Sequence, residues 1–199
     1  MQTKNSLNVN SMRLFISINP DETARKRIAD IVQQLKKVAF SGNFTRAENL
    51  HLTLAFIGET DSSLLPKIRE TMDLVTVKPF MLSFSGAGSF RSRNGRNRKP
   101  GDIWWIGIEE SPALIRLQRQ LANGLRRSGF PMENRIYTPH LTIGRSVQIP
   151  GSPQSDNPQY DRIHLEYDRF DSEVSQISLM HSHRVDNQLT YTEIYKKQL

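Results

Sequence analysis

A chain of 199 residues with 37% hydrophobic residues can bury an ordinary core, as one domain or as two small lobes. Its 27 Lys and Arg against 20 Asp and Glu, with a pI near 9.9, favour phosphate-bearing partners and leave nucleic acid, nucleotides and membrane surface all open. The absence of cysteine excludes disulfides and thiolate chemistry, so any zinc site would need histidine and carboxylate ligands alone.

Met1 to Ser11 is polar, without a basic region leading into an apolar run, and reads as a flexible leader rather than a signal peptide. No stretch approaches the roughly 20 apolar residues of a membrane span. The default expectation is therefore a soluble cytoplasmic protein, with residues 12–199 forming one continuous domain.

From Arg13 to Asn19 the chain alternates and is rich in β-formers, predicting a strand. Pro20-Asp21-Glu22 then opens a helix whose apolar stripe is Ile28, Ile31, Val32 and Leu35. A break at Ser41-Gly42-Asn43 leads into a strand from His51 through Ile57. Asp61 or Ser62 caps a second helix carrying Leu64, Leu65, Ile68, Met72 and Leu74, and Phe80 to Phe84 makes the next strand. These elements compose a strand-helix-strand-helix-strand half.

The second half repeats the logic, with a strand from Ile103 to Ile108 and a helix begun at Ser111-Pro112 and ended by Gly129. A strand through His140 follows. Arg91 to Lys99 and Pro150 to Pro158 are too charged, or too rich in proline and glycine, to be anything but loops. Val174 to Met180 and Thr190 to Tyr195 are further strands, giving three helices and about seven strands.

Two tetrads stand out: His51-Leu52-Thr53-Leu54 and His140-Leu141-Thr142-Ile143. In a strand each turns its histidine and threonine to one side, with the aliphatic residues packed on the other. A lone histidine in a strand is usually a surface or satisfied core residue. Two matching copies, each placed as a strand after a helix, instead suggest a duplication and a site with a proton donor and a proton acceptor titrating near neutrality.

Around these tetrads the sequence resembles the two-histidine phosphoesterases, and among them the RNA 2′,3′-cyclic phosphodiesterases also described as 2′-5′ RNA ligases. The similarity runs from Arg13 to Tyr195. It is carried by Arg13-Leu14-Phe15-Ile16, Glu48-Asn49-Leu50 joined to His51 through Glu59, Trp105-Ile106-Gly107, and Pro139 through Arg145.

The resemblance implies an α+β fold of two similar lobes, each an antiparallel sheet backed by helices, related by a pseudo-two-fold with the active cleft between them. It implies hydrolysis of a 2′,3′-cyclic phosphate to a 2′-phosphomonoester, with His51 as acid and His140 as base, no metal or cofactor, and ligation as the reverse reaction. The expected partner is RNA with a cyclic end or a related nucleotide, bound by a monomer that needs no protein partner. A silent RNA-end or nucleotide-binding protein, or an enzyme for small cyclic nucleotides or 2′-5′ oligonucleotides, is the alternative.

The Thr53 and Thr142 hydroxyls suit the non-bridging phosphate oxygens. Arg145 is a further phosphate candidate, because guanidinium offers paired donors and the family often has arginine there. Strict alternation would put Arg145 on the side of Leu141 and Ile143, unless Gly144 marks a bulge that re-aims it. Tyr137 is a candidate for stacking a base, whereas Phe56 and Trp104 read as core. The loop bearing Arg91, Arg93, Arg96, Arg98 and Lys99 could track an RNA backbone. His164, His181 and His183 lack an acidic partner at metal-ligand spacing and read as ordinary polar residues.

Overall fold

The structure, a computed structural model, describes residues 10–90, 101–149 and 165–199. The leader through residue 9, the basic loop, the segment of residues 150–164 and with it His164 lie outside the described residues.

The first strand, β1 (Ser11–Ile18), buries Leu14 and Ile16 completely. Helix α1 (Glu22–Val38) follows because Asp21 caps it, its carboxylate accepting from the Ala24 amide at 2.8 Å, and because Ala24, Ile28, Ile31, Val32 and Leu35 form one buried stripe. The expected break at residues 41–43 is instead a short strand, β2 (Ser41–Phe44). After a 3₁₀ turn at Ala47–Asn49 comes β3 (Leu52–Asp61). Asp61 caps a second 3₁₀ turn leading into α2 (Leu65–Asp73).

Strand β4 (Phe80–Phe90) outruns its predicted end by six residues. Then come β5 (Asp102–Ile108), α3 (Pro112–Arg127) capped by Ser111, and β6 (His140–Gln148). Beyond residue 164 are β7 (Phe170–Val174), β8 (Gln176–Val185) and β9 (Gln188–Gln198). None of the described helices is long and apolar enough to cross a membrane.

The strands form one antiparallel sheet in the order β7-β4-β5-β6-β3-β1-β8-β9, with β2 also on β6. Each side of the β6/β3 junction has four strands, and each side begins with a tetrad strand. The ladder across the junction is a single Cα pair among the described residues, Leu52 with Leu141. Past it β3 leaves β6, and β2 takes the vacant edge, pairing Phe44 with Gly144 and Asn43 with Arg145.

This corrects the expected lobes in two respects. The two sheets are halves of one sheet, and they are not the two halves of the chain. Strand β4 joins the block of the second tetrad, while the C-terminal β8 and β9 complete the block of the first. The helices cross over as well. Helix α1 packs beneath β6 and β7: a Cβ on Gly144 would lie 3.5 Å from Leu35, and the Ser172 hydroxyl donates to Asp21 at 2.8 Å. Helix α3 lies against α2 and β3, with Gln118 reaching the Leu54 carbonyl at 3.5 Å. Apolar periodicity tells a helix which face to bury but not which sheet face will receive it.

Candidate active site

The register at the sheet junction assembles the site. Leu52 and Leu141 point into the core, 1% and 0% exposed. One step along an antiparallel ladder from that pair sets His51 across from Thr142 and Thr53 across from His140, all four on the face away from the core. The two tetrads, far apart in sequence, thus become one four-residue cluster in which each histidine neighbours the other copy's threonine.

Both imidazoles are tethered alike. His51 Nδ1 lies 2.7 Å from the Asn49 carbonyl and His140 Nδ1 lies 2.9 Å from the Thr138 carbonyl, each two residues back along the chain. A carbonyl can only accept, so each Nδ1 carries the proton and each Nε2 is left with its lone pair for chemistry.

The His51 ring sits 4.8 Å from Phe15 and meets Tyr191 edge-on at 5.1 Å. His140 meets Phe90 edge-on at 5.0 Å, and Phe90 is 5.3 Å from Trp105. Burial among these rings lowers both histidine pKa values from their ordinary 6.5; the carbonyl bonds oppose the shift, and the positive charge of Arg145 adds to it at both. At His140 the Arg135 charge acts in the same direction.

That Arg145 acts on both rings answers the question alternation left open. On β6, Thr142 pairs with Trp105 while Gly144 pairs with the adjacent Trp104, so Ile143 is an extra residue and the strand bulges there. Ile143 stays buried and Arg145 is exposed instead of following it inward. Tyr137 is placed differently from a free stacking surface: its ring packs against the core and its hydroxyl donates to the Thr53 carbonyl at 2.9 Å. Burial pushes that phenol far above its usual range.

Trp104 is core, 4% exposed, whereas Phe56 is half exposed beneath the Arg13 guanidinium. His181 and His183 stack at 4.6 Å on β8, and His183 Nε2 lies 2.8 Å from the Thr192 hydroxyl. Among the described residues no group of three or more His, Cys, Asp or Glu could hold a metal ion. Sequence reasoning missed Phe15, Phe90, Trp105 and Tyr191 as the walls of the site. Phe15 and Trp105 lay within the family-like segments, but nothing in the spacing of Phe90 or Tyr191 tied them to a histidine.

A fold whose halves meet at two His-x-Thr strands, with both imidazoles tethered at Nδ1, is that of a two-histidine phosphoesterase. The chain belongs to the 2′-5′ RNA ligase superfamily, whose sequence model matches residues 20–186. It is 35% identical over 136 residues to the RNA 2′,3′-cyclic phosphodiesterase of Archaeoglobus fulgidus, covering 67% of this chain and 72% of that one. To the protein of the same name from Thermotoga maritima it is 31% identical over 163 residues, 80% of this chain and 84% of that one. These relatives are hydrolases. The crystal structure of E. coli LigT with 3′-AMP superposes with a TM-score of 0.75 at 25% identity, covering 95% of this chain and 98% of LigT. The shared architecture is an α+β fold, a curled antiparallel half-barrel sheet with three helices.

Proposed function

We propose that this protein hydrolyses the 2′,3′-cyclic phosphate at an RNA end to a 2′-phosphomonoester, by acid/base catalysis from His51 and His140. The observation that carries this reading is the Leu52–Leu141 register, which gathers two Nδ1-tethered histidines and two threonines into one cluster. The names of the A. fulgidus and T. maritima relatives and the nucleotide held by LigT support the substrate class.

In-line displacement needs a base on the entering oxygen and an acid on the departing one, on opposite sides of phosphorus. His140 Nε2 takes a proton from water as its oxygen bonds to phosphorus. The bond from phosphorus to the 3′ oxygen breaks, and that oxygen receives the proton carried on His51 Nε2. The Thr53 and Thr142 hydroxyls and the Arg145 guanidinium hold the non-bridging oxygens, and Tyr137 positions the Thr53 strand through its carbonyl bond. The assignment of acid to His51 follows the family, and microscopic reversibility lets the same groups run the 2′-5′ ligation with roles exchanged.

The test is an RNA oligonucleotide with a 2′,3′-cyclic end, incubated in EDTA with wild type, His51→Ala and His140→Ala. A 2′-phosphate formed by wild type alone is the expected result. No conversion by folded wild type, or conversion that survives in either variant, overturns the assignment.

A further inference from the structure

The two histidines are walled differently. At His51 the rings of Phe15 and Tyr191 contact each other at 4.9 Å, and Phe15 is 4% exposed. At His140 the neighbouring ring, Phe90, is 38% exposed, although large apolar side chains are otherwise mostly buried in this fold.

The backbone makes this exposure systematic. Gly88 pairs with Trp105 across β4 and β5, and a Cβ on Gly88 would fall 2.5 Å from Trp105 Cζ2, so the indole lies directly over the glycine. Phe90, two residues along β4 and on the same face, continues the surface that Trp105 begins, the two rings 5.3 Å apart at 36°. Together they form an apolar shelf that ends against the edge of His140, in a site otherwise built of imidazole, hydroxyl and guanidinium.

We propose that Phe90, backed by Trp105, is the platform on which the base of the terminal nucleotide stacks. The inference rests on the cyclic phosphodiesterase reading above and adds to it the part of the substrate that binds beside His140. In a 2′,3′-cyclic phosphate the phosphate and the base are held by the same ribose, so a phosphate placed between the histidines carries its base only one sugar ring away. A flat, partly open ring in contact with one of those histidines lies within that reach. Every base has a π-face, so such a shelf accepts all four bases and favours the larger purines.

The test compares nucleoside 2′,3′-cyclic phosphates with a methyl riboside 2,3-cyclic phosphate, which keeps the reacting group and lacks the base. In Phe90→Ala the KM for the adenosine substrate is expected to rise on the order of 10- to 100-fold relative to any change with the base-free substrate, with a smaller rise for cytidine. Phe90→Trp should restore the adenosine KM. Equal losses on both substrates would overturn the proposal by making Phe90 a mere support for His140, and so would an adenosine KM that does not change.

Binding of 2′-AMP to wild type and Phe90→Ala, measured by calorimetry, decides the matter independently of turnover. Weaker binding in the variant supports the shelf, and equal binding overturns it. Wild type that binds 2′-AMP but turns over no cyclic phosphate would overturn the catalytic reading while leaving the shelf standing.

Discussion

Leu52 and Leu141 are Cα partners across the junction of β3 and β6, and this pair of buried leucines sets the geometry of the polar face above it. A shift of one residue in that register would send both histidines to the core side. The first prediction concerns what the register aligns. His51→Ala and His140→Ala should each lower kcat/KM by about 10²–10⁴. The double variant should lose far less than the product of the two, since either loss alone breaks the coupled proton transfer. Thr53→Val and Thr142→Val should cost less than either histidine. Steady-state kinetics on a cyclic-ended RNA checks all five.

The pH dependence follows from burial. Both histidines are held below 6.5 in the free protein, chiefly by desolvation and additionally by Arg145. The bell in kcat/KM, which reports the free enzyme, should therefore centre on the acid side of pH 6.5, and its limbs belong to the pair rather than to either ring. Replacing Arg145 with Gln removes a positive charge acting on both imidazoles, so both pKa values rise and the bell should move to higher pH while KM increases. A profile unmoved by Arg145→Gln would show that its charge does not reach the histidines.

The same shifts bear on stability. A histidine depressed in the folded state protonates first in the unfolded chain, so its contribution is present above the unfolded pKa of about 6.5 and lost as pH falls towards the folded value. Urea midpoints should drop between pH 6.5 and 5 in wild type. They should drop less in His51→Ala, which removes the more deeply buried of the two rings.

Tyr137→Phe deletes one hydrogen bond and keeps the ring. Its hydroxyl is the donor to the Thr53 carbonyl. The expected stability loss is about 0.5–1.5 kcal/mol by urea unfolding, with a fall in kcat larger than any rise in KM, because Thr53 then loses its anchor without losing its own hydroxyl. A rise in KM alone, confined to base-bearing substrates, would instead return Tyr137 to the stacking role that the sequence suggested.

Asp21 caps α1 and also accepts from Ser172 on β7. Asp21→Ala should cost about 1–2 kcal/mol, seen as a lower Tm, with kcat unchanged because the cap lies outside the catalytic cluster. A larger loss with slowed turnover would mean that α1 and β7 hold the position of β6 as well.

By itself the sequence determined the local elements and the reactive groups. Alternation marked β1, β3, β5 and β6, the apolar stripes and their caps marked all three helices, and the repeated His-x-Thr pattern singled out His51, Thr53, His140 and Thr142. These are short-range properties, set by the periods of strand and helix and by side-chain chemistry. What only the tertiary structure decided was which elements become neighbours. Residues 41–44 read as a break because a four-residue strand containing glycine has little propensity of its own; it becomes a strand because β3 leaves the edge of β6 free. Strand β7 alternates clearly at Phe170, Ser172 and Val174, yet it is too short to be distinguished without β4 beside it. Arg145 joins the site only because Ile143 bulges, and the bulge is a property of the β5–β6 pairing rather than of either strand. Phe90 and Tyr191 reach the histidines through strand order alone, and strand order is decided by long-range packing, which residue spacing along the chain does not encode.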